Sequence, residues 1–290
     1  MSRKLKSFEY FEPGTVEEGV QLLRRYGTKA KAFAAGVDLV PRMRKRQIQP
    51  EYIVALHRME NLNKIKENAE GLSIGSLVSL RSIEISPLVK KNYFVLHEAI
   101  HSIASIQVKT QGTAAGNLCV ATPASDVAPA LLVLDGKLSI TGLSGKKVIA
   151  MEDFYTGVGQ TVLEAGDILT EILLPQPSAG TGGAFMKLIR TAADIAKVNA
   201  AATLTISGDT CREVRIAMGA VAPTVIRAKK AEEMLRGQKL DRNAIDNAAR
   251  AAAEEARPIT DLRSTAEYRK ETISVLVKHV LEKALERATA

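Results

Sequence analysis

The chain has 290 residues, 46% of them hydrophobic and 25% charged, with a formal net charge of +8. That length favours two domains around ample core, and the composition is that of an ordinary globular protein. The charge invites a nucleic-acid partner, but the basic residues are dispersed and aromatics make up only 4% with no Trp, which leaves few platforms for base stacking.

Residues 8–13 read as extended. Thr15 then opens a helix, because Thr15-Val16-Glu17-Glu18 forms a capping box ahead of Val20, Leu22 and Leu23. Residues 31–34 are a predicted strand entering a cluster of small residues. Asp38-Leu39-Val40-Pro41 starts a short helix, and residues 52–56 form the next strand. This alternation predicts a compact α/β unit over residues 1–57. A second unit, over 58–176, begins with a strand at 71–77. Residues 82–86 lead to a helix start at Pro87, and 91–103 read as a helix. After a second small-residue stretch come a helix over 126–134, a hairpin of 137–141 with 148–150 around Ser144-Gly145, and a strand at 169–174. Residues 175–183 are the predicted linker. Beyond it, strands at 184–189, 200–207 and 214–221 precede helices at 227–235, 241–256 and 265–287. Strands followed by helices predict an α+β unit over 177–290.

The stretch 110–126 reads TQGTAAGNLCVATPASD, with small residues from Gly112 through Gly116. Small side chains let backbone approach a bulky anion such as a pyrophosphate and leave N–H groups free to bind it. Phe33-Ala34-Ala35-Gly36-Val37-Asp38 is a second such cluster, so the two suggest a clamp on one extended ligand. Asp126 either caps the helix that follows or takes a ribose or ribityl hydroxyl. Asn117 suits a tight turn. Lys187, between Met186 and Leu188, is either an exposed strand lysine or a contact to phosphate or flavin. The run Arg42-Met43-Arg44-Lys45-Arg46 is either a solvated helix end or an attractor of an anionic cofactor or acidic partner. His97 and His101, at i and i+4, read as a metal pair or as solvent-facing or capping residues on a helix.

No P-loop, GxGxxG or nucleophile elbow is present, and no paired carboxylates or Ser/His/Asp set emerges. The chain shows no sign of hydrolysing anything itself, as expected where a cofactor carries the reaction. Cys119 and Cys211 lie far apart, which argues against a metal cage or disulfide framework and fits a reducing cytoplasm. No apolar run approaches the roughly 20 residues of a membrane span. The opening MSRKLKSFEYFEP is basic without the apolar core of a secretory signal, so a cytoplasmic location is expected.

In these residues the sequence resembles the FAD-binding medium subunit of the molybdenum hydroxylases, the group of xanthine dehydrogenase and carbon monoxide dehydrogenase. The resemblance covers nearly the whole chain, beginning with FEYFEPGTVEEGVQLL. Ala34-Ala35-Gly36-Val37-Asp38-Leu39 resembles the family's AGGTDL loop, and Met43 keeps its spacing. Ile74-Gly75-Ser76-Leu77 resembles its IGA strand end, residues 112–118 its GTIGGNL loop, and Ser125-Asp126 its SD pair. Gly166-Asp167-Ile168-Leu169 and the run from Lys187 through Asp194-Ile195-Ala196-Lys197-Val198 resemble two later segments.

The resemblance implies an α+β fold: a two-part FAD-binding domain of the vanillyl-alcohol-oxidase (PCMH) type, then a C-terminal α+β domain with a three-stranded antiparallel sheet. It implies FAD on this chain, with [2Fe–2S] clusters on a small partner subunit and molybdopterin on a large one. Ala32, Phe33, Ala34, Ala35, Gly36, Val37, Asp38 and Leu39 would wrap the pyrophosphate, as would Thr113, Ala114, Ala115, Gly116 and Asn117. Asp126 would bind toward the ribityl or phosphate portion, and Leu169 and Lys187 would line the isoalloxazine side. Electrons would leave the complex here, from the clusters through FAD to an external acceptor, in a dimer of heterotrimers. Cys119 and Cys211 cannot supply four thiolates, so no cluster is expected on this chain.

The family's paired glycines appear as Ala35-Gly36 and Ala115-Gly116, while Ala114 replaces a usual Ile and Val37 a usual Thr or Ser. If Ala35 or Ala115 needs positive φ, the methyl costs roughly 1 kcal/mol and narrows the gap to phosphate. The alternative expectation is therefore a flavin-poor or flavin-less assembly subunit.

Overall fold

The computed structural model describes residues 4–290; Met1 to Arg3, the start of the basic opening segment, lie outside the described residues. The first unit contains β1 (Glu9–Phe11), α1 (Val16–Tyr26), β2 (Ala30–Phe33), α2 (Leu39–Arg44) and β3 (Tyr52–Ala55). Its three strands are parallel in the order β1-β3-β2. The capping box expected at its start forms with its return bond shifted to the residue before the cap. Thr15 Oγ1 accepts from the Glu18 N–H at 3.2 Å, and Glu18 accepts in return from the Gly14 N–H at 2.9 Å.

The second unit has β4 (Ile65–Asn68) and β5 (Gly71–Gly75), then six short helices. These are α3 (Leu80–Ile85), α4 (Pro87–Asn92), α5 (Phe94–His101), α6 (Ile106–Gln111), α7 (Ala114–Cys119) and α8 (Val127–Val133). It ends with β6 (Lys137–Gly142), β7 (Gly145–Ala150), β8 (Tyr155–Gly157), β9 (Gln160–Thr161) and β10 (Ile168–Pro175). Five of these strands form an antiparallel sheet, β4-β5-β10-β6-β7, and β8 pairs with β9.

The third unit has β11 (Thr181–Leu188), β12 (Val198–Ser207), β13 (Thr210–Gly219) and β14 (Ile226–Arg227), with α9 (Lys229–Leu235), α10 (Arg242–Glu255) and α11 (Ala266–Thr289). Helices cover both faces of this sheet, α5 and α8 on one and α11 on the other. That explains the continuous apolar run of β12, buried from Val198 through Leu204, where a half-exposed strand would alternate. Its alanines allow close approach, and at Gly182 a Cβ would lie 2.0 Å from the Ala284 carbonyl of α11.

Several expectations need correction. The C-terminal sheet has four strands, because the two residues of β14 pair with β13. The helix expected over 91–103 is broken at Tyr93 (φ −128°, ψ 49°), whose buried ring fixes a non-helical backbone between α4 and α5. Part of the stretch 110–126 is helical, supplying the end of α6 and all of α7. The expected linker passes into β11 at Thr181, and β4 is a polar strand that alternation did not reveal.

His97 and His101 serve Glu84. The Glu84 carbonyl receives His97 Nδ1 at 3.0 Å, while its carboxylate receives His101 Nδ1 at 2.9 Å, Lys109 Nζ at 2.6 Å and Arg81 at 2.8 Å. This buried carboxylate thus ties α3 to α5 and α6. Among the described residues no group of three or more metal-ligating side chains is gathered, and no helix is long and apolar enough to cross a membrane.

Burial pushes the Glu84 carboxyl up, but hydrogen bonds from Lys109, Arg81 and His101 outweigh it and bring it from 4.5 down to about 2. The folded value lies below the unfolded one, so its contribution is present above pH 4.5 and is lost as pH falls toward 2. Glu84→Gln should destabilise the chain at neutral pH by about 3–5 kcal/mol, since the buried Lys109 ammonium keeps the His101 carbonyl at 3.2 Å but loses its counter-charge. It should also flatten the acid limb of stability measured by urea denaturation from pH 5 to 2. Equal acid slopes in variant and wild type would contradict this assignment.

Candidate functional site

A cleft of about 640 Å³ opens where the three units meet. One wall is the β2–α2 loop, the opposite wall is residues 112–126, β10 contributes Ile168 and Leu169, and the third unit contributes Lys187 with Ala193, Asp194 and Ile195. Ala32 through Leu39, Thr113, Ala115, Gly116, Asn117, Asp126, Leu169 and Lys187 all line it. Ala114 does not, because its side chain is 2% exposed and packs into the core. Arg42 reaches the cleft and pairs with Asp38 at 3.4 Å, while Met43 is buried.

The β2–α2 loop is built to offer backbone donors. Leu56 N–H bonds the Phe33 carbonyl and Val40 N–H bonds that of Gly36, yet the N–H groups of Ala35, Gly36 and Val37 reach no backbone acceptor among the described residues. Gly36 has φ +71°, and a Cβ there would lie 2.5 Å from the Phe33 ring, so glycine is required on both counts. Unpaired donors beside small side chains suit a large anion.

Across the cleft, the segment read as a loop at 113–117 is the start of α7. Thr113 Oγ1 caps it by accepting from the Gly116 N–H at 2.9 Å, the Cβ of any larger residue at Gly116 would press on that oxygen, and Asn117 sits in the helix and not in a turn. Ala35 and Ala115 are absent from the residues with positive φ, so neither alanine carries left-handed strain. Ala104 (φ 38°) and Ala193 (φ 65°) do carry it, and both line the cleft.

For Asp126 and for Lys187 the structure removes one of the two expected alternatives. Asp126 makes no cap bond; Ser125 Oγ does, accepting from the Ala128 N–H at 3.1 Å while donating to Asn117 Oδ1 at 2.6 Å. The Asp126 carboxylate instead meets Lys187 Nζ at 2.8 Å, with the two side chains 9% and 4% exposed. Lys187 is therefore a buried partner and not an exposed strand lysine. Asn199 completes the set, donating to Asp126 Oδ1 at 2.7 Å and to the Ser125 carbonyl at 3.0 Å. Burial pushes the Asp126 carboxyl up, and the Lys187 charge opposes this.

Sequence reasoning missed Ser125 and Asn199 as site-building residues. Asn199 had a signal, being the one amide in the Ala-rich run VNAAATL, whose burial demands a partner. Cys119 lines the cleft and Cys211 is buried; both are free thiols.

Residues 6–177 match the family described as the FAD binding domain in molybdopterin dehydrogenase, and residues 183–284 match the CO dehydrogenase flavoprotein C-terminal domain. The chain is 32% identical over 280 residues to the carbon monoxide dehydrogenase medium chain of Hydrogenophaga pseudoflava, spanning 97% of this chain and 98% of that one. It is 30% identical over 286 residues to the 6-hydroxypseudooxynicotine dehydrogenase complex subunit alpha of Paenarthrobacter nicotinovorans, spanning 98% and 97%. The solved carbon monoxide dehydrogenase from Hydrogenophaga pseudoflava, lacking the Mo-pyranopterin moiety of its molybdenum cofactor, matches with a TM-score of 0.96 at 33% identity, over 98% of this chain and 99% of that one.

Removing either member of a buried ion pair strands the other. Asp126→Asn and Lys187→Met should each destabilise the chain by about 3–5 kcal/mol in urea denaturation. The double variant should cost less than the sum of the two, and strict additivity would show that the pair does not interact.

Proposed function

The chain belongs to the FAD-binding medium-chain family of the molybdenum hydroxylases, the group of CO dehydrogenase and xanthine dehydrogenase, and from that premise we propose that it carries electrons from the [2Fe–2S] clusters of a small partner subunit, through FAD, to an external acceptor. It is the medium FAD subunit of a heteromeric molybdenum hydroxylase, and thus an oxidoreductase subunit. Substrate oxidation falls to a large molybdopterin subunit. The named relatives serve carbon monoxide and 6-hydroxypseudooxynicotine dehydrogenases at nearly equal identity, which supports leaving substrate choice to that other subunit. A cytoplasmic dimer of heterotrimers is the assembly this reading expects, with FAD-binding parts at 1–57 and 58–176 and the C-terminal domain at 177–290.

The carrying observation is the pair of small-residue segments facing each other across one cleft, with unpaired backbone donors at Ala35, Gly36 and Val37. Residues 32–39 and 113–117 hold the pyrophosphate in this reading. Asp126 faces the ribityl or phosphate portion, where its oxygens keep lone pairs beyond those used by Lys187 and Asn199. Leu169 and Lys187 face the ring. Lys187 presents donor protons there, and the Asp126–Lys187 pair taken together brings no net charge to the cleft. Leu80, Ile103, Val108 and Leu163 add apolar wall to the cleft. FAD supplies the redox chemistry when bound; the chain supplies binding and orientation.

The flavin-less alternative drew its motive from Ala35 and Ala115; their backbones carry no left-handed strain, which leaves only the methyl groups facing the phosphate as its ground. The full chain, purified with its partners, should show flavin absorbance that reductant bleaches. A folded, colourless chain that takes up no FAD would sink the reading. Ala35→Gly should leave flavin occupancy within about twofold, and Ala115→Gly should cost roughly 0.5–1 kcal/mol of stability for helical glycine without raising occupancy. A large gain in flavin from either change would instead favour the alternative.

A further inference from the structure

The turn between α10 and α11, residues 256–265, carries two large aliphatic side chains in open water: Leu262 is fully exposed and Ile259 is 67% exposed. Isolated surface aliphatics are ordinary, but this turn is pinned in the conformation that displays them. Asp261 Oδ1 accepts from the Arg263 N–H at 2.8 Å and the Ser264 N–H at 3.2 Å, and the Asp261 N–H bonds the Ser264 carbonyl at 3.0 Å. The same carboxylate oxygen receives Arg269 Nη2 at 2.6 Å, and Arg269, buried on α11, also donates to the Ala220 carbonyl at 3.0 Å. Thr260 Oγ1 accepts from the Ala266 N–H at 3.0 Å, and the Arg257 N–H bonds the Val221 carbonyl at 2.7 Å. Leu262 is thus a preorganised apolar knob, and burying it against a partner costs little further ordering of the chain.

The turn stands beside the cleft at the Lys187 end. Lys197 Nζ lies 5.3 Å over the Tyr268 ring at the start of α11. Hydrogen bonds from Arg190 and from the Ile195 N–H, with the Arg263 charge near them, hold the Asp194 carboxyl below its ordinary range. Ala193, Asp194 and Ile195 line the cleft, and the Asp194 carbonyl receives Lys187 Nζ at 3.4 Å. Ile195 and Tyr268 are exposed and extend the apolar surface. Around it, residues 190–197 and 257–270 carry six cationic side chains against three carboxylates. An apolar centre within a positive rim fits a protein that offers an apolar pocket in an acidic surface.

We propose that this face docks the small [2Fe–2S] subunit, with Leu262 inserted into an apolar pocket of that subunit's acidic surface. The inference rests on the reading of Leu169 and Lys187 as the ring end of an FAD cleft. The loop that leads out of the Lys187 strand is the one beside this turn, and a subunit that reduces the ring must sit at that end.

In the intact heteromeric complex, Leu262→p-benzoylphenylalanine should photocross-link this chain to the small subunit. Cross-linking only to the large subunit or to a second copy of this chain, or no cross-link at all, overturns the proposal. Leu262→Asp in the full chain should weaken its binding to the complex of the other subunits by roughly tenfold or more, while Leu262→Met stays within about threefold. Arg263→Gln should reduce the salt dependence of that binding. Melting of the chain alone should match wild type in these variants, because neither side chain is buried. Binding of Leu262→Asp within twofold of wild type would also overturn the docking face. FAD uptake is scored separately: a wild-type chain that takes up none defeats the electron-transfer reading, and the cross-link still decides whether this face meets the small subunit.

Discussion

The buried pair of Asp126 and Lys187 is the interaction on which the rest of the site depends. Two opposite charges taken out of water are tolerable only when geometry is close and further hydrogen bonds support the pair. Here the contact is 2.8 Å, Asn199 takes the second carboxylate oxygen, and Lys187 also reaches the Asp194 carbonyl at 3.4 Å. Asp126 stands at the start of α8, Lys187 on β11 and Asn199 on β12, so satisfying the pair fixes α8 against the C-terminal sheet. The Ala220 N–H bonded to the Pro123 carbonyl at 2.7 Å adds a backbone tie across the same junction. A slip of β11 by one residue would turn Lys187 to the opposite face and strand both charges.

That junction also anchors one wall of the cleft. Ser125 links the start of α8 to Asn117 in α7, and Thr113 begins α7, so the wall facing the β2–α2 loop is anchored through a chain of short polar contacts to a sheet far along the sequence. The third unit is consequently more than an appendage. It supplies Lys187 to the cleft and immobilises the wall opposite the backbone donors.

What the sequence made legible follows from how locally each feature is determined. The capping box at Thr15 and the strong strands needed only neighbours a few residues away. The small-residue segments at 33–38 and 112–116 announced close backbone approach, and both line the same cleft. The roles of Asp126 and Lys187 were not legible, because each is set by a partner about sixty residues off that no local pattern names. The helical nature of α7 was hidden for another reason: its glycine and alanines have the composition of a loop, and only the Thr113 cap decides the matter. The two-residue β14 exists because β13 offers an edge, which is a tertiary fact.

Small residues serve two distinct purposes in this chain, and the distinction bears on its alanines. In β12 and at Gly182 they let helices pack closely on both faces of a sheet. At Gly36 the requirement is conformational, set by φ +71° and the Phe33 ring. Ala115 belongs to the first kind: its methyl is buried in the core and its backbone is helical, so glycine there would add chain entropy and remove packing. Ala35 lies next to the left-handed glycine without sharing its positive φ. The left-handed position in the β2–α2 loop and the capped position in α7 both remain glycine, so each alanine stands where its backbone meets no conformational barrier.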